Sequence, residues 1–240
     1  QKGIIPALRL AFAKSKGQYI TRMDADDRML PQKLEQLHQA LHNKGKGYVA
    51  TGLVRYFSEG ELGSGYQKYE QWLNTLTRDE RNFEAIYKEC VIPSPCWMLN
   101  RSDLKQCGAF RSDRYPEDYD LVFRFYEQQF KVIGIPEVLH AWRDHPTRTS
   151  RTDPTYANPQ YFELKLHYFL RLDYDQNRPL VLWGAGRKGK AVAKKLQASD
   201  VPFHWICETP GKIGKHIYGQ HMQSPAVLHD LQDPQILIAV

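Results

Sequence analysis

The chain lacks any run approaching the roughly 18 apolar residues that a membrane-spanning helix needs. Its four cysteines, Cys90, Cys96, Cys107 and Cys207, form no CxxC pair and have no His at metal-ligand spacing. That pattern excludes a disulfide framework and a zinc site, and it reads as reduced thiols. There is no initiator Met, "QKGIIPALRLAFAKSKG" starts directly in a helical pattern, and "QILIAV" stops in a buried-strand pattern. A longer parent chain is therefore expected. Internal repeats are absent, as are nucleic-acid-binding modules and the aromatic–basic interleaving of single-strand binders, so nucleic acid is not an expected partner.

What is present is ordinary for a globular protein: 240 residues, 42% apolar, 25% charged and 12% aromatic. The net charge of +6 suits an anionic partner such as a nucleotide or a phospholipid surface, although scattered lysines read first as solvated surface.

Ile4, Ile5, Leu8, Ala11 and Phe12 recur at helical spacing, and Gly17 supplies a stop. "QYITRM" reads as a short strand, after which Pro31 opens a helix with Leu34, Leu37 and Leu41 as its apolar stripe. "GYVATGLVRYF", "PCWMLNR", "KVIGI" and "VLHAWR" read as strands, and "YQKYEQWLNTL" as a helix. Ser102 is expected to cap a short helix closed by Gly108. "PEDYDLVFRFYEQQF" begins a helix with acid at its N-terminus, where the dipole favours it, and turns Leu121, Val122 and Phe125 inward. The stretch "RDHPTRTSRTDPTYANPQ" reads as a linker or lid, followed by a helix, "YFELKLHYFLRL". Alternating helices and strands give an α/β class on both sides of it.

Two acidic clusters carry candidate chemistry. "DADD" puts Asp24, Asp26 and Asp27 into four positions. A helix cap needs only one of them, and a calcium loop of the EF-hand type needs Gly where Met29 stands. The remaining reading is a Mg²⁺ or Mn²⁺ ion shared with the phosphates of a nucleotide. Glu117, Asp118 and Asp120 form the second cluster, at the start of a helix. Capping explains part of it, and a carboxylate facing a cleft there would suit a general base.

Taken in order, "GIIPALRLAFAKSKGQYITRMDADDRMLPQKLEQ", "VIPSPCWMLNRSDLKQCGAFR", "YPEDYDLVFR" and "VLHAWRDHPTRTSR" resemble a family 2 glycosyltransferase with the GT-A fold. The resemblance implies a GT-A-type mixed sheet flanked by helices over residues 1–150, lacking its first strands. It also implies an inverting, metal-dependent enzyme of bacterial surface polysaccharide synthesis. The implied donor is a nucleotide-sugar and the implied acceptor a glycan or lipid-linked glycan, which places the protein in the cytoplasm with peripheral contact at an anionic membrane face.

By the same resemblance, Asp24 and Asp26 match the metal and donor positions, with Asp27 auxiliary, and Asp118 matches the catalytic base. Arg143, His145 and Arg148 match the basic segment that closes over the diphosphate. Glu117, Asp120 and Trp97 fall on the acceptor side, where Trp97 would stack on a sugar unless it is core.

After a linker and helix at 151–177, residues 178–240 form a second unit. Gly184, Gly186 and Gly189 stand in GxGxxG spacing between a strand and a helix, and Glu208 ends the next strand. The order resembles the small Rossmann-like domain appended to some family 2 glycosyltransferases, here expected to be incomplete at its C-terminus. Its glycine turn is either a nucleotide site or a close-packed corner. No Tyr–Lys or Cys–His pair for redox or acyl chemistry follows. The alternative for the whole chain is a nucleotide- or dinucleotide-binding Rossmann protein with a non-catalytic, sugar-binding front domain.

Overall fold

A computed structural model describes residues 3–153, 156 and 158–239. It divides into two compact units, Gln1–Lys165 and Leu166–Val240. Pro154, Thr155 and Ala157 of the expected linker lie outside the described residues.

The first unit is built on a mixed sheet of β1 (Tyr19–Thr21), β2 (Arg28–Met29), β3 (Tyr48–Phe57), β4 (Trp97–Asn100) and β5 (Lys131–Arg143), in the order β1-β4-β3-β5-β2. β3 and β5 run parallel, and the other pairings are antiparallel. Helices α1 (Ile4–Lys14), α2 (Lys33–Lys44), α3 (Ser64–Arg78), α4 (Arg101–Gln106) and α5 (Glu117–Glu127) accompany the sheet, followed by α6 (Thr149–Thr152) and α7 (Asn158–Tyr168). This is the expected fold class, a mixed sheet flanked by helices with a second sheet behind it in sequence.

"KVIGI" and "VLHAWR" are one strand. Gly52 stands opposite Ile135 and Leu53 opposite Val138, so Pro136 and Glu137 are skipped in the register. Proline has no N–H for the ladder, and an irregularity in pairing absorbs it without ending the strand. The core beneath gathers Leu37, Leu41, Ala50, Val54, Leu73 and Leu139 from α2, β3, α3 and β5.

Two expectations are corrected by helix register. α2 begins at Lys33, not Pro31, so positions 33, 37 and 41 share the inner face at i, i+4 spacing. Leu34 is left 46% exposed while Lys33 is fully buried. Its Nζ donates to the Pro95 carbonyl and lies 3.2 Å from His140 Nδ1, and burial pulls its pKa below the ordinary lysine value. Ser102 does not cap α4, because the helix starts one residue earlier and Ser102 Oγ meets Asp103 Oδ1 instead. Gly108 does close that helix, at φ 82°.

The second unit holds β6 (Leu180–Trp183), α8 (Arg187–Ala198), β7 (His204–Ile206), β8 (His216–Ile217), β9 (Gln220–Gln223) and β10 (Gln235–Ile238). Their order is β10-β6-β7-β9-β8, parallel throughout except for β8 against β9. The β8–β9 hairpin is absent from the sequence reading. Tyr218 and Gly219, both at positive φ (54° and 77°), make the two-residue turn that matches strand twist. Among the described residues no helix is long and apolar enough to cross a membrane.

Candidate active site

The acidic turn joins β1 to β2, and each of its aspartates already has a cationic or imidazole partner. Asp24 Oδ1 accepts from Arg22 Nε at 3.0 Å, Asp26 Oδ2 lies 2.8 Å from His145 Nε2, and Asp27 Oδ2 lies 2.9 Å from His140 Nε2. Exposure separates their roles. Asp27 is sealed, with its second oxygen taken by the Arg143 backbone N–H, because β2 pairs with β5 immediately beyond it. It holds the turn to the sheet and offers no free face. The Asp26 side chain is 44% exposed. Burial alone would raise its pKa, but the hydrogen bond with His145 and the charges of His145 and Arg148 hold it below the ordinary carboxylate value.

The second cluster sits on the first turn of α5, and Arg22 ties it to the first. Its Nη1 donates to Glu117 Oε1 at 3.0 Å while its Nε holds Asp24. Burial opposes the Arg22 charge, yet the charges of Asp24, Glu117 and Asp118 raise its pKa further, so it stays cationic. Arg22 is missing from the sequence reading; its link to Glu117 spans 95 positions, and local spacing carries no sign of it. Glu117 also accepts from the Tyr156 hydroxyl, so both its oxygens are engaged. Asp120 is buried and accepts from Arg124 Nε, whose Nη1 donates to the Cys107 and Ala109 carbonyls; it fixes α5.

Asp118 differs from both neighbours. It lines a cavity of about 490 Å³ together with Tyr56, Tyr66, Trp142, Arg148 and Tyr156. Burial first and the Glu117 charge second push its pKa up to about 7, opposed by Arg22 and by the Tyr119 N–H that it accepts. Such a carboxylate can take a proton near neutrality.

The aromatic wall is not the one expected. Trp97 is 2% exposed and packs edge-on against Phe125, so it presents no face to a ligand. Tyr56 and Trp142 stand opposite one another on β3 and β5, their rings stacked at 5.0 Å. Arg148 lies over both and over Tyr66, at 5.3 to 5.9 Å from the ring centroids. His145, Arg148 and Asp26 are thus brought together beside this wall, whereas the Arg143 side chain turns away to Glu59.

No set of three or more His, Cys, Asp or Glu is gathered as a metal cage among the described residues. The exposed, ionised Asp26 with His145 fits a weaker demand, one or two protein ligands completed by diphosphate oxygens.

With this geometry, comparison with known proteins is informative. Residues 1–108 match the family model for glycosyl transferase family 2. Over those residues the first unit is similar to a family 2 glycosyltransferase domain. The chain is 27% identical over 164 residues to the O-antigen biosynthesis glycosyltransferase WbnJ of Escherichia coli, covering 66% of this chain and 60% of that protein. It is 25% identical over 161 residues to EpsE of Bacillus subtilis (strain 168), provisionally named a glycosyltransferase, covering 65% and 54%. The chain thus spans little more than half the length of these relatives. The matched residues include the acidic turn, while Asp118, His145 and Arg148 lie beyond them.

In the second unit, the glycine turn opens on a cavity of about 520 Å³ at the ends of β6, β7 and β10, lined by Gly184, Gly186, Glu208 and Lys212. Gly184 has φ 122°, and a Cβ on Gly189 would stand 2.0 Å from the Gly184 carbonyl oxygen. A Cβ on Gly186 would meet nothing.

Proposed function

We propose that the first unit transfers a sugar, with inversion, from a nucleotide-sugar to a hydroxyl of a glycan or lipid-linked acceptor in bacterial surface polysaccharide synthesis. The observation that carries this reading is Asp118, set near pKa 7 in an aromatic cavity, with its neighbour Glu117 tied through Arg22 to Asp24 of the acidic turn. Asp118 takes the acceptor proton as the acceptor oxygen bonds to the anomeric carbon. The bond from that carbon to the diphosphate breaks on the opposite face, and its electron pair leaves with the diphosphate. His145 and Arg148 stand beside Asp26, where the Arg148 charge and the His145 imidazole meet the departing group. Asp26, with Asp24, would hold a Mg²⁺ or Mn²⁺ ion there, which when bound supplies further charge to the diphosphate. A lipid-linked acceptor would bring the protein to the cytoplasmic membrane face.

A second reading rests on Gly186. A positive φ accounts for Gly184 and packing for Gly189, but no contact requires glycine at 186, and room for a phosphate at the N-terminus of α8 would. Glu208 would then meet a ribose.

A thermal-shift panel on the purified protein distinguishes these. UDP, GDP, TDP and NAD are each tested with and without Mn²⁺. The transferase reading expects one nucleoside diphosphate to stabilise the protein only with Mn²⁺, and the shift to vanish in Asp26→Ala. Stabilisation that ignores the metal, or a shift with NAD alone, would move the binding site to the glycine turn.

A further inference from the structure

The cavity beside Asp118 contains a group that the transfer reaction does not use. Ser94 is 5% exposed, borders this cavity, and its Oγ has no hydrogen-bond partner among the described residues. Buried hydroxyls are nearly always paired, so an orphan facing an open space asks for a partner from a ligand. Three tyrosine hydroxyls around it are in use: Tyr69 donates to the Cys90 carbonyl, Tyr66 accepts from Arg151 Nε, and Tyr156 donates to Glu117.

Ser94 is also held still. Pro93 and Pro95 flank it, the Cys96 N–H closes a turn onto the Pro93 carbonyl, and Lys33 Nζ grips the Pro95 carbonyl from below. A preset hydroxyl is a better reader of ligand shape than a mobile one.

The rest of the lining suits one chemical class. Tyr66 and Trp142, both half-buried, offer apolar ring surface of the kind that packs against the C–H face of a sugar ring, while Tyr56 is 7% exposed and stacked on Trp142. Among the described residues that line it, two carboxylates, Asp118 and Glu89, stand against one cation, Arg148, whose guanidinium is already faced by the aromatic rings. An anionic sugar would meet more negative charge than positive.

Resting on the transferase reading, we propose that this cavity is the acceptor subsite, that it takes the neutral pyranoside end of a glycan, and that Ser94 selects it by hydrogen-bonding a hydroxyl other than the one delivered to Asp118. Ser94 is a specificity residue here, and Tyr66 supplies part of the stacking wall.

Saturation-transfer NMR on the whole protein tests this with the methyl pyranosides of glucose, galactose, mannose, N-acetylglucosamine and glucuronic acid, each with and without the nucleoside diphosphates and Mn²⁺. At least one neutral pyranoside is expected to bind in preference to the glucuronide. Ser94→Ala is expected to weaken that binding about 3- to 12-fold, the loss of one neutral hydrogen bond. Its melting temperature is expected to stay equal or rise, because an unpartnered hydroxyl has been removed. Tyr66→Ala, at a half-buried position, is the second variant and is expected to weaken the same sugar.

Binding of no neutral pyranoside, preference for the glucuronide, or indifference to both substitutions would overturn the proposal. If sugars fail while a nucleoside diphosphate still binds with Mn²⁺, the subsite is wrong and the transferase reading stands. Sugars bound in a Ser94-dependent way with no nucleotide response would leave the subsite and remove the transferase.

Discussion

Asp26 and Asp118 are both aspartates in acidic turns, yet the protein pushes them in opposite directions. Asp26 is half-exposed, with His145 and Arg148 holding it ionised, while burial and Glu117 drive Asp118 up to about 7. Around each stand carboxylates of similar appearance, Asp27 beside one and Glu117 and Asp120 beside the other, that are locked into hydrogen bonds and do structural work. An acid becomes a permanent anion or a proton acceptor by its surroundings, and separated pKa values mark separated roles.

The sharpest way to break this contrast is Asp118→Asn. Transfer is expected to fall by about 10² to 10⁴, the worth of a positioned base, with donor binding kept. In the native enzyme kcat/KM should drop tenfold per pH unit below about 7 and level off above it, since the base acts only when ionised.

Stability runs the other way. Between the ordinary aspartate pKa and about 7, folded Asp118 keeps a proton that the unfolded chain releases. Its contribution is therefore full below that window and lost as pH rises through about 7. At pH 8 the Asn variant should melt no lower than the native protein. A large fall in its melting temperature would show that the Asp118 carboxylate is structural.

Arg22→Gln sharpens the comparison from between the two turns. It leaves Glu117 buried without its cation and is expected to cost about 3 kcal/mol in chemical denaturation. It also removes a charge that holds the Asp118 pKa down, so the pH–rate midpoint of any surviving activity should move upward. A contrast within α2 ends on the smallest expected effect, at Leu34. Leu37→Ala should cost about 2–5 kcal/mol, and Leu34→Ala no more than about 0.5 kcal/mol, because only the first faces the core.

That last pair shows where the sequence stops being informative. Periodicity identified α2, but a start two residues later than Pro31 exchanged Leu34 for Lys33 on the inner face. A buried lysine is so uncommon that pattern reading assigns its place to the nearest leucine. Leu121, Val122 and Phe125 were legible on α5 because all three point into the core. The aromatic wall was not. Tyr56 and Trp142 lie on strands far apart in the chain and meet only once β3 and β5 are paired in register. Trp97, next to the expected motif, was the visible aromatic and is an interior one. The β8–β9 hairpin escaped because its strands are only 2 and 4 residues long, with Ile217 and Met222 the apolar residues set among His216, Gln220, His221 and Gln223.

Lys33 has a consequence for tolerance to movement. One ammonium group grips the carbonyl of Pro95, next to Ser94, and meets His140, whose far nitrogen reaches Asp27 in the acidic turn. The two sides of the cleft are therefore referenced to a single buried point. A shift of α2 would carry them together, leaving their spacing intact, whereas two independent anchors would let the errors add. For a reaction in which a misplacement of about 1 Å can cost a hundredfold in rate, a shared datum protects alignment more than added stiffness on either side would.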